Sequence, residues 1–312
     1  MERIRKQLRL SRTSRTRRLD SMDSRFDRWQ SGTAIAGILS VLLVGIGLVL
    51  TNDFNRDQLK LQQRTAQEQQ DLALKGQRAD RFVQAVDQLG QEGEDKLGVR
   101  LGGIYALEAL MNEFRADENV VIEVLCAFVR SHAPYKKGGG IGDATQDVRS
   151  AVTVLGRRPD PDAHLALDFT NTMLGLDRLT VPDASFRGAD LSIGDFSDAV
   201  LPRADLREAS FRYSYLDGAE LRGANLEDAY LYGTKLRGAI LPGANLRNVD
   251  FSEAVLTGAD LTGADLTGPR TKGLTTAQLA CAKVDAATRL PAGVSPPAPD
   301  AWKQKKCAVE DD

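Results

Sequence analysis

Between Ala184 and Gly268 the apolar positions recur every five residues. The large ones are Phe186, Leu191, Phe196, Leu201, Leu206, Phe211, Leu216, Leu221, Leu226, Leu231, Leu236, Leu241, Leu246, Phe251, Leu256, Leu261 and Leu266, all Leu or Phe. Two positions before each stands a small side chain. It is Ala at thirteen of the seventeen sites, and otherwise Gly194, Ser214, Thr234 or Val249. A helix, at about 3.6 residues per turn, would scatter these side chains around its surface, and a strand would alternate them between faces. An unvarying short period instead marks units stacked on one another. If each unit forms one side of a square coil, four units give a turn of twenty residues whose large and small inward side chains interleave into a packed axis. Turns would stack at about 4.8 Å. Gly188, Gly218, Gly223 and their equivalents fall where the backbone must turn a corner. Phe169, Leu174 and Leu179 continue the spacing backwards, with two extra residues before Phe186 that predict a bulge near Pro182. The array then holds about twenty units in about five coils, roughly 25 Å tall.

A different pattern runs from Thr33 to Thr51, an uncharged apolar run of nineteen residues. That length crosses a bilayer as one transmembrane helix. Trp29 suits its interfacial entry, and no signal-peptide cleavage site follows it, since Asn52, Asp53 and Phe54 come next. Ala36, Ser40 and the nearby Gly37, Gly45 and Gly47 offer small residues for helix pairing, so a homo-oligomer is one expectation. Residues 52–80 are polar and Gln-rich without a heptad register, which predicts a solvated helical stalk. Residues 81–133 then show three amphipathic helical faces. The first is Phe82, Val83, Val86 and Leu89; the second is Leu101, Ile104, Leu107, Leu110 and Met111. The third is Val120, Val121, Val124, Leu125, Phe128 and Val129, with Asp117 as its expected cap and Pro134 as its stop. Asp143 and Gln146 form a capping-box pattern for a fourth helix through Val148, Val152 and Leu155. After Gly268, residues 275–283 read as a short helix over the last coil, and the Pro-rich end from Pro291 reads as irregular.

The expected organisation is therefore a basic arm (1–32), a transmembrane helix (33–51), a polar stalk (52–80), a helical region (81–163), the repeat array (164–272), and a capping helix with a flexible tail (273–312). Charge sharpens this picture. The formal net charge is only −2, yet the first thirty residues hold ten Lys/Arg against four Asp/Glu. Basic residues stay on the cytoplasmic side. The N-terminus is thus expected in the cytoplasm against anionic headgroups, with the repeats outside.

The units Ala189-Asp190-Leu191, Ala204-Asp205-Leu206, Ala224-Asn225-Leu226, Ala244-Asn245-Leu246, Ala259-Asp260-Leu261 and Ala264-Asp265-Leu266 carry the A-(D/N)-L-x-x motif. In this the chain resembles the pentapeptide-repeat family. The resemblance implies a right-handed quadrilateral β-helix for the C-terminal half. The segments from Leu101 to Leu110 and from Val124 to Arg130 are similar to the helical region that precedes such repeats in bacterial membrane-anchored members.

Candidate chemistry is sparse. His132 and His164 have no Cys or Ser partner at motif spacing, and the Gly run at 138–142 matches no phosphate-binding motif. The array's carboxylates are spread evenly, which points to no enzyme, cofactor or metal site. Cys126 falls on an apolar helix face, while Cys281 and Cys307 flank the last segment and form a candidate disulfide outside the cytoplasm. Arg212, Tyr213, Tyr215, Tyr230 and Tyr232 gather on neighbouring coils as a candidate surface for an unknown protein partner. The expected function is a membrane-tethered, non-catalytic protein-interaction scaffold. The alternative, by resemblance to gyrase-protecting members whose acidic β-helices imitate DNA, suits the sequence less well. Sixteen acids across residues 165–268 are interrupted by nine bases, among them Arg187, Arg207, Arg222, Arg237 and Arg247. Nucleic acid is not an expected partner.

Overall fold

The computed structural model describes residues 2–158, 166–304 and 307, with side chains from Gly37 onward. The expected boundary at 163–164, His164, the side chains of the basic arm and of Trp29, and residues 308–312 lie outside the described residues. The chain divides into two compact units, Met1–Gly76 and Gln77–Asp312.

Helix α1 runs unbroken over Glu2–Leu89. It is long and apolar enough to cross a membrane by length and composition. From Ile38 to Leu50 its large apolar side chains are exposed, between 53% for Leu39 and 71% for Val41. Ser40 and Thr51 turn their hydroxyls back onto the helix, donating to Gly37 O at 2.8 Å and Gly47 O at 2.7 Å. That is how a hydroxyl is satisfied where no other partner is at hand.

The second unit begins with the end of α1, followed by α2 (Leu97–Glu113), α3 (Glu118–His132) and α4 (Gln146–Gly156). Ile104, Leu107, Leu110 and Met111 of α2, Val121, Leu125, Phe128 and Val129 of α3, and Val148, Val152 and Leu155 of α4 are buried in one core. Val83 and Val120 instead face outward, at 57% and 48% exposure. Ala85 and Ile122 take inward positions in those helices. The expected caps differ as well. Asp117 precedes α3 without a side-chain cap and pairs with Arg78. Thr145, not Asp143, stands at the N-cap of α4. Arg100 pairs with buried Asp147 and also donates to the carbonyls of Gln91 (3.0 Å) and Gly93 (2.7 Å), tying α2 to α4.

The repeats wind as a coil with four parallel bridge positions per turn, each twenty residues from its partner, from Gly175↔Asp195 through Asn245↔Asp265. Each side contributes one bridge residue and a two-residue turn, and among the described residues no extended strand forms. All seventeen Leu and Phe anchors are at most 2% exposed. Three of the four exceptions to Ala in the small slot share one column, Gly194, Ser214 and Thr234. Ser214 Oγ donates to Leu191 O at 2.8 Å and Thr234 Oγ1 to Phe211 O at 2.6 Å, so each buried hydroxyl is satisfied by the preceding coil. Gly194 is required there because a Cβ would stand 2.5 Å from the Phe196 ring.

The first coil corrects the register expected near Pro182. Bridges at Gly175, Thr180 and Ser185 make Leu176, Val181 and Phe186 consecutive anchors without interruption. Leu174 and Leu179 fill the slot that Ala fills elsewhere. The two extra residues lie earlier, between Phe169 and Leu176, where Thr172 pairs antiparallel with Pro134.

Both ends of the ladder are covered, as open sheet edges require. At the first coil, Ser185 N–H donates to Gly156 O at 2.8 Å, Ala144 N–H to Gly175 O at 2.9 Å and Met173 N–H to Ala133 O at 2.9 Å. Arg149 and Arg158 donate to the carbonyls of Asp177 (2.7 Å) and Ser185 (2.6 Å). At the last coil, residues 276–281 form successive turns, not the helix expected over 275–283. Gln278 Nε2 donates to Phe251 O (2.9 Å) and Ala254 O (3.0 Å), and Thr288 Oγ1 to Leu261 O (3.0 Å). Of these carbonyls, that of Ala254 stands in the slot that accepts a bridge N–H from the next coil elsewhere, while those of Phe251 and Leu261 also accept the N–H of Ala254 and Ala264. A polar side chain therefore does for the ladder what a capping residue does for a helix.

Every corner residue from Arg178 to Gly268 is left-handed, with Gly at some corners and residues such as Arg178 (φ 55°) at others. A left-handed non-glycine residue costs about 1–2 kcal/mol. The Arg178 side chain is 79% exposed, and a Cβ on Gly243 (φ 67°) would meet open space, so backbone strain dominates at both. Arg178→Gly is expected to stabilise and Gly243→Ala to destabilise by about 1 kcal/mol each. Thermal unfolding should show shifts of opposite sign; shifts in the same direction would contradict the corner geometry.

Candidate interaction surface

The bridge residue of each unit explains the motif's Asp or Asn. Asp190, Asp195, Asp205, Asn225, Asn245, Asp250, Asp260 and Asp265 each accept, through Oδ1, the N–H two residues on, at 2.9 to 3.2 Å. This side-chain turn closes the corner after the anchor. Many of the array's acids are thus turn-forming groups, and several also pair with Arg or Lys. Asp205 holds Arg207 at 2.6 Å, Asp265 holds Arg289 at 2.8 Å, and Asp260 holds Lys283 at 2.8 Å. Burial opposes ionisation of Asp265, but donors from Thr267 and the nearby Arg289 and Arg247 outweigh it and hold its carboxyl below the usual range. The same balance depresses Asp205, Asp250 and Asp260.

The tyrosines form two clusters rather than one. Tyr213 and Tyr232 meet edge to face with centroids 5.2 Å apart, and Tyr232 donates its hydroxyl to Glu253. The Glu253 hydrogen bond, then the Tyr213 hydroxyl, push the Tyr232 hydroxyl well above its ordinary range. Arg212 stacks over Tyr230, 4.8 Å from its centroid. Tyr215 begins the next side, bridged to Asp195 and Lys235, and makes no ring contact among the described residues. Tyr213, Tyr215 and Tyr230 are 55%, 42% and 43% exposed. Tyr213 also occupies a left-handed corner (φ 57°), where a bulky residue is unfavourable.

Cys281 and Cys307 are joined in a disulfide with Cα atoms 5.2 Å apart. It fastens the tail beside Lys283, whose ammonium lies 5.8 Å from the Trp302 ring centroid. Cys126 is buried, and burial pushes its thiol up to about 11, where it is a poor nucleophile. His132 stacks on Phe128 at 4.0 Å, its Nδ1 2.9 Å from Phe128 O. Among the described residues no group of three or more His, Cys, Asp or Glu is placed to hold a metal ion.

Two features were missed by sequence reasoning. The role of Asp and Asn as turn closers was signalled by their fixed place before the anchor. The change of spacing after Gly268, which brings Arg270 and Lys272 onto the array, was signalled by the end of the five-residue period.

A coil of stacked five-residue units, with turn-closing acids outside and Leu or Phe inside, defines a class of solenoid repeat proteins. Residues 195–228 and 229–268 match the sequence model of pentapeptide repeats in eight copies. This stretch of the array is therefore built of pentapeptide repeats. Solved structures of the same type resemble it. A pentapeptide repeat protein from Nostoc Pcc 7120 is 26% identical over 38% of this chain and 86% of its own, with a TM-score of 0.25. A pentapeptide repeat protein from the Arabidopsis thaliana thylakoid lumen is 34% identical over 34% of this chain and 60% of its own, with a TM-score of 0.15. Full-length QnrB1, a plasmid-mediated fluoroquinolone resistance protein, is 20% identical over 43% of this chain and 76% of its own, with a TM-score of 0.17. No curated protein matches the chain.

The depressed carboxyls set an acid limit. A group whose pKa is lower folded than unfolded stabilises fully above the unfolded value, about 3.9 for Asp, and loses that contribution as pH falls through the folded value. The melting temperature of the array is expected to change little between about pH 7 and 5 and to fall below about pH 4. A melting temperature that rises on acidification would contradict the turn-closing role.

Proposed function

We propose that this protein is a membrane-tethered, non-catalytic interaction scaffold. In this reading α1 is a single-pass anchor and the array is a right-handed quadrilateral β-helix that presents its outer faces to a protein partner. The observation that carries it is the pair of outward aromatic clusters, Tyr213 with Tyr232 and Arg212 with Tyr230, on an array many of whose charges pair with one another. Exposed Tyr and Arg are the residues from which interface anchors are most often made. Capped ladder ends leave the sides as the surfaces available to a partner. The N-terminus lies in the cytoplasm, its basic arm against anionic headgroups, and the array lies outside. The Cys281–Cys307 bond supports that orientation, because disulfides persist in oxidising compartments. The DNA-imitating reading has less support, since the array's acids close turns and pair with Arg and Lys.

Crosslinking with mass spectrometry in intact cells tests the scaffold. A protein crosslinked to the array in the unaltered chain should be lost with Tyr213→Ala/Tyr232→Ala and retained with Arg178→Ala, which changes a distant corner. Equal recovery with both variants would refute the tyrosine surface. Alkaline phosphatase fused at the C-terminus should be active; an inactive fusion, with an active cytoplasmic reporter at the same site, would reverse the orientation.

A further inference from the structure

The regular ladder breaks where the array ends. Bridges stay twenty residues apart through Asn245↔Asp265, but Asp250 pairs with Lys272, twenty-two residues on. The added residues carry Arg270 back across the corner. Its backbone N–H donates to Asn248 Oδ1 at 3.3 Å, and its guanidinium reaches Asp228, two coils earlier, at 2.6 Å. Lys272 pairs with Asp250 at 3.1 Å. These side chains wall an open groove of about 920 Å³ that follows the corner column Gly188, Glu208, Asp228 and Asn248, with Tyr230 beside it. Its volume falls in the range of small-molecule sites. Irregular insertions that re-aim side chains are common beside such sites.

The groove's charges indicate what would fit. Each of its three carboxylates already has a cation: Glu208 has Arg187 at 2.9 Å, Asp228 has Arg270 and Asp250 has Lys272. A charged ligand of either sign would have to break one of these pairs or remain unneutralised. A hydroxyl both donates and accepts through one oxygen. It can give its proton to a carboxylate and accept from the paired guanidinium or ammonium while leaving the pair intact. A guanidinium has five donors and a carboxylate two oxygens, so the pairs keep spare capacity. Tyr230, 43% exposed, adds a flat apolar surface held by Arg212. Polyhydroxylated rings with one C–H face match this set of groups. We propose that the groove binds a neutral oligosaccharide, its hydroxyls bridging the Asp228–Arg270 and Asp250–Lys272 pairs and a ring face resting on Tyr230. This site does not depend on a protein meeting Tyr213 and Tyr232.

Saturation-transfer NMR on the full chain in lipid nanodiscs, with cellotetraose and the N-acetylglucosamine tetramer as neutral probes, tests the assignment. Tetragalacturonate and tetralysine serve as charged comparators. Transfer is expected to at least one neutral probe and to exceed that to either comparator. Asp228→Ala should weaken binding about tenfold, the effect of losing a charge-assisted hydrogen bond. Tyr230→Ala should weaken it similarly, Tyr230→Phe should retain it, and Tyr215→Ala, on another side of the coil, should leave it unchanged. Thermal melts establish that each variant is folded. No transfer to either neutral probe, stronger transfer to a charged comparator, or undiminished binding by folded Asp228→Ala would overturn the proposal; the comparator that won would name the ligand class instead.

Discussion

From Phe186 to Leu246 each anchor donates its N–H to the carbonyl nineteen residues on, in the next coil: Leu206 to Asn225, Leu216 to Lys235 and Leu226 to Asn245, all at 2.7 Å. This bond ties the five-residue unit to the twenty-residue turn. Once it is in place, the anchor must point inward and the residue before it must bridge. The following pair must then turn, and the next side chain must be small. The small residue's N–H returns to its own anchor's carbonyl, as Ala209 does to Leu206 at 3.2 Å. The bridge residue's N–H goes to the coil before, as Asp205 does to Ala184 at 2.8 Å. Burial of the Leu and Phe axis supplies the driving force, and the hydrogen bonds supply the register.

Much of this was legible because the period is unlike that of a helix or a strand. The anchors and the small column could be read without knowing any contact. The first coil could not. Leu174 and Leu179 look like anchors in a list of apolar positions, yet they occupy the slot of Ala. What distinguishes them is the bridge at Gly175 and the cover provided by α4, both long-range contacts. The third helix face was shifted for a similar reason: Val120 and Ile122 are equally apolar, and only packing against α2 and α4 decides that Ile122 is inside. Residues 275–283 offered a plausible capping helix, but Gln278 is spent on the carbonyls of Phe251 and Ala254. Of the candidate surface, the tyrosines were visible as a cluster. The insertion that adds Arg270 and Lys272 was not, because its effect depends on a reach across two coils.

Covering both ledges of the ladder has a functional consequence. The helical region and the C-terminal turns occupy the backbone groups through which another strand would add. Recognition is left to side chains on the outer faces. Most of those are committed: Asp and Asn close turns, and Arg and Lys pair with neighbouring acids. The departures from that economy are Tyr213 in a left-handed corner, the Arg212–Tyr230 stack, and the groove walled by Arg270 and Lys272. Departures from a repeat's own rules are where function is expected to lie.

The coil-to-coil hydrogen bond is tested most directly by amide hydrogen exchange resolved to single residues. Four amides of each unit donate to a backbone carbonyl, whereas the first turn residue, such as Arg212, Arg222 or Tyr232, does not. Exchange across residues 206–246 should therefore be fast at Arg212, Arg222 and Tyr232, with Leu206, Phe211, Leu216, Leu221 and Leu226 among the slow ones. The first-turn amides of Arg207, Glu227 and Arg237, bonded to side chains, should be intermediate. Protection with a period near 3.6 residues, or uniformly fast exchange, would contradict the account.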